Sequence, residues 1–418
     1  MNTPQTIPAA ATMEENLPPL PRINVHAFCD TPETLQVMQT TAADRRMSRT
    51  FTEIFSGGIP AAVQYYAQTP TPHLLVVESA KPREAMLGEL AALAQVCSPE
   101  TRVVVIGHIN DISFYRLLMS QGVGDYLAAP VSVPQLLASF SSLFRPEAEQ
   151  LGKVATFMGA KGGVGASVIA HNVAWLMSER HETGTVIADL DLAFGTAGLD
   201  FNVDPAQGIL DALASRERLD STFLDRLLHK CSERLMLLAS PGSVDKVIDI
   251  QSETLEMVLD ILRSTSPWTV VDMPTSWGDW MKAALVQTDT LVIVSTPELA
   301  SLRNTKSLVD MLKVIRPNDE PPLLVLNQVD MGNRPEIPAA KFSSAVGLEV
   351  TAEIPFDAQT FGQAVTNGQM IAEVAPRSKA AQELERLTAR LLGIKEEQEK
   401  AGRSIFQPIL EKLKKKKG

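Results

Sequence analysis

Read as a pattern of apolar and polar positions, the chain alternates short apolar runs with longer stretches of helical spacing. Between Ile23 and Phe144 the runs Ile23–Phe28, Leu74–Val77, Val103–Ile106 and Tyr126–Ala128 predict strands. The amphipathic stretches Pro32–Gln39, Arg83–Val96 and Tyr115–Gln121 predict helices between them. Strand and helix in alternation give a parallel sheet covered on both faces. A polar break, Arg145-Pro146-Glu147-Ala148-Glu149-Gln150, precedes a second series of runs: Lys153–Met158, Val186–Asp189, Leu235–Leu238, Thr269–Asp272, Leu291–Ser295 and Leu323–Asn327. A helical stretch, Lys379–Leu392, closes that series. The pattern therefore predicts two α/β domains with parallel sheets, over 22–144 and 151–392. Residues 1–21, rich in Pro, Ala and Thr and without periodicity, are expected to be a disordered lead-in. Residues 393–418 form a charged tail, and no internal repeat is visible.

Composition narrows the function more than the fold. The chain has 418 residues, 45% hydrophobic and 21% charged, which suits a folded protein of two to three domains. A formal charge of −11 argues against a broad basic surface, so no specific nucleic acid is expected as partner. Cys29, Cys97 and Cys231 are scattered without a CxxC pair, which removes the usual zinc and iron–sulfur spacings and leaves them as small apolar residues of a reducing compartment. Met1–Pro21 has neither a basic start nor an apolar stretch, and no run approaches the ~18 apolar residues of a spanning helix. A cytoplasmic protein is the expectation.

The chemistry concentrates after the first strand of the second series. The strand Val154–Phe157 runs into Gly159-Ala160-Lys161-Gly162-Gly163-Val164-Gly165-Ala166-Ser167, and the helical Val168–Glu179 follows. Glycines let successive backbone N–H groups turn inward on an anion, and the helix start adds its positive end. Gly162, Gly163, Val164, Gly165 and Ala166 would cradle phosphates, and the Ser167 hydroxyl would ligate Mg²⁺. The loop departs from G-x-x-x-x-G-K-[ST] at two places, Ala160 for the first glycine and Ala166 for the lysine. Further on, Trp268-Thr269-Val270-Val271-Asp272 is an apolar strand ending in an acid, the Walker B pattern for Mg²⁺. ATP and Mg²⁺ are the expected cofactors.

The loop, with its early Lys161, resembles the deviant Walker A of the ParA/MinD ATPases. That resemblance implies that Lys161 reaches the phosphates across a nucleotide-sandwich homodimer. Asp189-Leu190-Asp191 is similar to the paired aspartates of the group's first switch. It implies that Asp189 acts through Mg²⁺ and its waters and that Asp191 orients the attacking water. Asn327-Gln328-Val329-Asp330 and Ile354-Pro355-Phe356-Asp357 resemble the adenine-side segments, which makes Asn327, Pro355 and Asp357 nucleotide contacts. Lys161 and Asp191 are thus the expected catalytic pair, and Ser167, Asp189 and Asp272 the metal set. With Ala166 at the lysine position, weak hydrolysis at most is expected.

The first domain resembles a receiver, a flavodoxin-like sheet, without receiver chemistry. At the matching positions Cys29 replaces one acid, Glu78 the acceptor Asp, Gly107 the Ser/Thr and Ala129 the lysine, while Asp30 remains. Nothing there would hold a phosphoryl group. Such a domain followed by a ParA/MinD-like ATPase with Ala at the Walker lysine resembles the TadZ/CpaE family of Tad (Flp) pilus assembly proteins, over roughly Ile23 to Leu392. The resemblance implies a protein that marks the inner-membrane or polar site where the pilus secretion ATPase and its membrane platform assemble. The other class left open is a partition or cargo-positioning ATPase that cycles. In the tail, Ile405, Phe406, Ile409, Leu410 and Leu413 share one helical face and five lysines crowd the end. Residues 404–418 are expected either to lie on anionic lipid or to be a solubilising tail broken at Pro408.

Overall fold

The computed structural model describes residues 19–144, 151–242 and 250–394. The polar break at 145–150, the lead-in up to residue 18 and the tail motif at 404–418 lie outside the described residues.

The first unit is one five-stranded parallel sheet, β1 Asn24–Cys29, β2 Phe51–Ser56, β3 Leu74–Ser79, β4 Arg102–Gly107 and β5 Asp125–Ala128, in the order β2-β1-β3-β4-β5. That is the flavodoxin-like order. Its inner strands β3 and β4 are apolar on both sides because helices cover both faces. One layer gathers Val25, Val76, Ile106 and Phe140, the other Phe28, Leu75, Val105 and Phe114. The expected lead-in ends earlier than Pro21: Leu20 is fully buried in the first layer, and its N–H donates to the Arg46 carbonyl at 2.8 Å.

The second unit holds eight strands: β6 Lys153–Gly159, β7 Thr185–Asp189, β8 His229–Lys230, β9 Leu235–Leu238, β10 Trp268–Met273, β11 Thr290–Ser295, β12 Leu323–Val329 and β13 Val350–Pro355. Their order is β13-β12-β11-β6-β10-β7-β9-β8. All neighbours are parallel except the β8–β9 edge pair, which is antiparallel and makes the sheet mixed. β6 lies in the middle between β10 and β11, and the chain leaves its C-terminal end into the glycine loop. The crevice where strand order reverses lies at this end of such a sheet. The helices Ala166–Glu179 and Lys379–Leu392 pack together on one face, through residues such as Val173, Met177, Leu384 and Leu391.

A buried ion cluster joins the two units at the other end of β6. Arg45 reaches Asp319 at 2.7 Å and Asp289 at 3.3 Å, and Arg46 reaches Asp319 at 2.8 Å. Asp289 is also held by Arg263 and by the Val154 N–H at 2.8 Å, at the start of β6. Arg316 closes the cluster on Asp319 at 2.7 Å. Every one of these ion-paired side chains is at most 6% exposed.

Candidate nucleotide site

The loop between β6 and the helix Ala166–Glu179 owes its path to two glycines in the left-handed region, Gly163 at φ +77° and Gly165 at φ +85°. Side-chain amides then hold its carbonyls from outside. Asn304 donates to the Ala160 carbonyl at 2.9 Å, Gln328 to Gly163 at 3.0 Å and Asn327 to Val164 at 2.8 Å. With carbonyls turned outward onto these amides, the loop's N–H groups are left to face an anion. Gly165 is the cap of the helix, and a Cβ there would stand 2.6 Å from the Asn327 amide nitrogen. Ala166, nearly buried, begins the helix where a lysine would stand, and Ser167 follows half-buried.

Asp189 and Asp272 end the neighbouring strands β7 and β10, where they are direct partners in the ladder. Both are about 1% exposed. Asp189 accepts the N–H of Asp191 at 3.0 Å and of Ala197 at 3.3 Å. Burial, and then the Asp272 charge, push its carboxyl up to about 7. Neither oxygen of Asp272 has a hydrogen-bond partner. Among the described residues the one charged side chain that approaches this pair is the His171 imidazole, 3.5 Å from Asp272 and beyond hydrogen-bond length, so both Asp272 oxygens keep their lone pairs for another ligand. This donor set fits Mg²⁺, which takes one or two carboxylates and completes its shell with phosphate oxygens and water. Among the described residues no group of three or more His, Cys, Asp or Glu is placed to hold a metal by itself.

The remaining predicted residues divide. Asn327, Pro355 and Asp357 come together with Gly165 and Phe361 around a pocket of about 180 Å³. Asp357 also caps the helix Ala358–Asn367 through the Thr360 N–H at 3.0 Å. Asp191 opens the segment after β7, its carboxylate accepting the Phe194 N–H at 3.1 Å and its carbonyl the Ser240 hydroxyl at 2.7 Å. Lys161 turns to the rim of the loop, where its Nζ pairs with Glu298 at 3.1 Å, about one third exposed. A second cleft, about 390 Å³, opens beside Ala160 between Pro274, Trp277, Asn304 and Met311.

Sequence reasoning missed the pair His171 and Asp200. His171 is fully buried and places Nδ1 2.6 Å from Asp200 and Nε2 3.5 Å from Asp272. Burial opposes its charge, but the two carboxylates outweigh that and push its pKa up to about 10. Its spacing was a readable signal, since residues four apart on a helix share a face and Ser167 precedes His171 by one turn. Asp200 carries no such signal.

The first unit's acidic corner is occupied by its own chain. Glu78, 1% exposed, accepts the N–H groups of Asp30 at 2.7 Å and Thr31 at 2.8 Å, and the hydroxyls of Thr31 at 2.8 Å and Thr34 at 2.7 Å. Burial pushes its carboxyl up, but these donors at the start of the helix Pro32–Ala42 outweigh it and hold it below the usual range. His108 lies 3.2 Å away on the open side.

No family model matches the chain. Among curated proteins it is similar to the septum site-determining protein MinD of Helicobacter pylori, 26% identical over 160 residues, 38% of this chain and 58% of that protein. Among solved structures, a ParA family ATPase from Chlorobium tepidum superposes with a TM-score of 0.52 at 27% identity, covering 56% of this chain and 98% of the other. The chain contains a ParA/MinD ATPase fold. The pilus assembly protein CpaE of Caulobacter crescentus is 46% identical over 30% of this chain and 97% of the other, with a TM-score of 0.30. In this fold the glycine loop leaves the middle of the sheet, the carboxylates of Asp189 and Asp272 end β7 and β10, and the pocket with Pro355 and Asp357 lies at the end of β13.

Proposed function

We propose that the chain binds Mg·ATP in the Gly159–Ser167 loop, dimerises when loaded, and serves as a localisation and assembly factor for a Tad (Flp) type pilus. The observation that carries the nucleotide part is the buried carboxylate of Asp272, without a hydrogen-bond partner beside Asp189, together with a glycine loop whose Ala160, Gly163 and Val164 carbonyls are held by outside amides. Ser167, Asp189 and Asp272 would hold the metal, and Asn327, Pro355 and Asp357 would line the base side. When bound, the metal would supply charge neutralisation at the phosphates. Asp191, at the mouth of the site, would orient a water there, and Lys161 would leave Glu298 for the phosphates of a second copy.

Dimerisation is supported by what the rim leaves in solvent. Phe194 and Leu199 on the segment after Asp191, Trp277 beside the second cleft, and Leu299 next to Glu298 are all at least half exposed. Large apolar side chains left in solvent favour burial against a partner. Ala166 favours a nucleotide-held assembly factor over a cycling partition ATPase, because the charge that a lysine gives the transition state is missing. The pilus role draws on the two-unit organisation described above, and on the likeness to CpaE, a pilus assembly protein. Among the described residues no helix is long and apolar enough to cross a membrane, so contact with the platform would be peripheral.

The test is retention against turnover on the full-length protein. We expect tight ATP binding with slow hydrolysis, and Asp191→Ala should lower kcat while leaving ATP affinity within about threefold. Rapid hydrolysis that survives Asp191→Ala would favour a cycling ATPase with a different water-orienting group. Absence of ATP binding would remove the reading.

A further inference from the structure

Three buried residues from distant parts of the second unit, His171, Asp200 and Asp272, meet beside Asp189. His171 rises from the phosphate-loop helix one turn after Ser167, on the same face. Asp272 ends β10, and Asp200 ends the short helix Ala197–Asp200, which follows Asp191. The imidazole lies between the two acids, Nδ1 at 2.6 Å from Asp200 and Nε2 at 3.5 Å from Asp272, and Phe201 packs on its ring at 5.9 Å between centroids. Asp200 is tied back to its own segment through the Thr196 hydroxyl, and the next residue, Ala197, donates its N–H to Asp189. Among the described residues, His171 is the only cationic side chain within ion-pair distance of Asp272. The contact to Asp200 has full hydrogen-bond length, whereas the one to Asp272 is longer than a hydrogen bond. The imidazole is thus fixed by the segment and faces the metal carboxylate, which keeps its oxygens for another ligand.

We infer that His171 is a positioning residue of the nucleotide site: it sets the Asp272 carboxylate for Mg²⁺ and links it, through Asp200, to the segment 191–201. The inference rests on the Mg·ATP reading above and deepens it. Two consequences follow from the linkage. Loading the metal should order the segment that carries Asp191, Phe194 and Leu199. Loosening the segment should weaken the metal's contribution to nucleotide affinity by the same factor, because coupling between two events is reciprocal. The short helix would then act as the sensor that reports an occupied site to the rim.

The experiment compares full-length wild type, His171→Ala and Asp200→Asn. ATP affinity is measured with Mg²⁺ and with EDTA, and chymotrypsin cleavage at Phe194 and Leu199 is followed in both conditions. Wild type should gain affinity with Mg²⁺ and protect both bonds. His171→Ala should lose about tenfold of the Mg²⁺ gain, an ordinary size for intramolecular coupling, while its Mg²⁺-free affinity stays near wild type. Asp200→Asn keeps the imidazole and should lose the protection while still binding ATP; it decides the matter if His171→Ala does not fold. Variants that keep both the full Mg²⁺ gain and the protection would overturn the inference alone. A wild type that does not bind ATP would overturn the nucleotide reading and this inference with it.

Discussion

At the scale of single residues, the two units treat buried carboxylates in opposite ways. Glu78 is saturated by donors at the start of a helix, while Asp272 has none. The longer glutamate arm reaches the N–H groups of Asp30 and Thr31 and fills with protein the place where a receiver would accept a phosphoryl group. Incubation with acetyl phosphate should therefore add no mass to the chain. Glu78→Gln should destabilise the protein by about 2 kcal/mol at neutral pH, since hydrogen bonds to a charged group are worth about 1.5–3 kcal/mol each and the amide retains part of them. The folded-state pKa lies below the ordinary value, so this stabilisation is present above the unfolded pKa and is lost as pH falls through the folded one. Melting curves of wild type and Glu78→Gln should converge as pH is taken below about 4.3, the ordinary glutamate value. A gap that stays constant with pH would contradict the ionised clamp.

At the scale of elements, the glycine loop stands on backbone conformations other residues resist. Gly165→Ala would place a Cβ at φ +85° and against Asn327. The left-handed conformation alone costs a non-glycine residue roughly 1–2 kcal/mol, and the clash would also push Asn327 off the Val164 carbonyl. We expect a lowered melting temperature together with loss of ATP binding, whereas Gly88→Ala, on an open face of the helix Arg83–Ala94, should leave ATP binding unchanged and stabilise the protein by about 0.5–1 kcal/mol. The same distinction explains what the sequence made legible. Buried strands such as β3, β6 and β10 read as apolar runs because helices cover both faces. Three strands escaped. β2, Phe51-Thr52-Glu53-Ile54-Phe55-Ser56, is an edge strand, half-buried with an acid at its centre. β13 is likewise at an edge and carries Glu353, and β8 has only two residues. The phosphate loop was legible because its parts are contiguous in the chain. The His171–Asp200 contact and the Lys161–Glu298 pair were not, because only the topology brings their elements together.

At the scale of the whole molecule, the cluster of Arg45, Arg46, Asp289, Arg263, Arg316 and Asp319 makes the first unit a fixed part of the second. Removing one partner from a buried ion pair leaves an uncompensated charge and costs roughly 3–5 kcal/mol. Arg45→Ala should therefore lower the melting temperature and split a single calorimetric transition into two, while ATP binding at the far end of β6 persists. A single unshifted transition would show that the cluster does not couple the units. The helix Pro32–Ala42 runs from the Glu78 clamp toward Arg45, so one rod joins that acidic corner to the interface. On the proposed reading, the nucleotide site is where a ligand changes the state of the molecule, and the exposed surface at Lys161, with Leu299 next to its partner Glu298, is where a second copy would meet it. Light scattering of the full-length protein with and without Mg·ATP tests that claim most directly. The account predicts that wild type doubles its mass with Mg·ATP and that Lys161→Ala stays a folded monomer in both conditions; a mass indifferent to ATP, or a Lys161→Ala variant that dimerises like wild type, would contradict it.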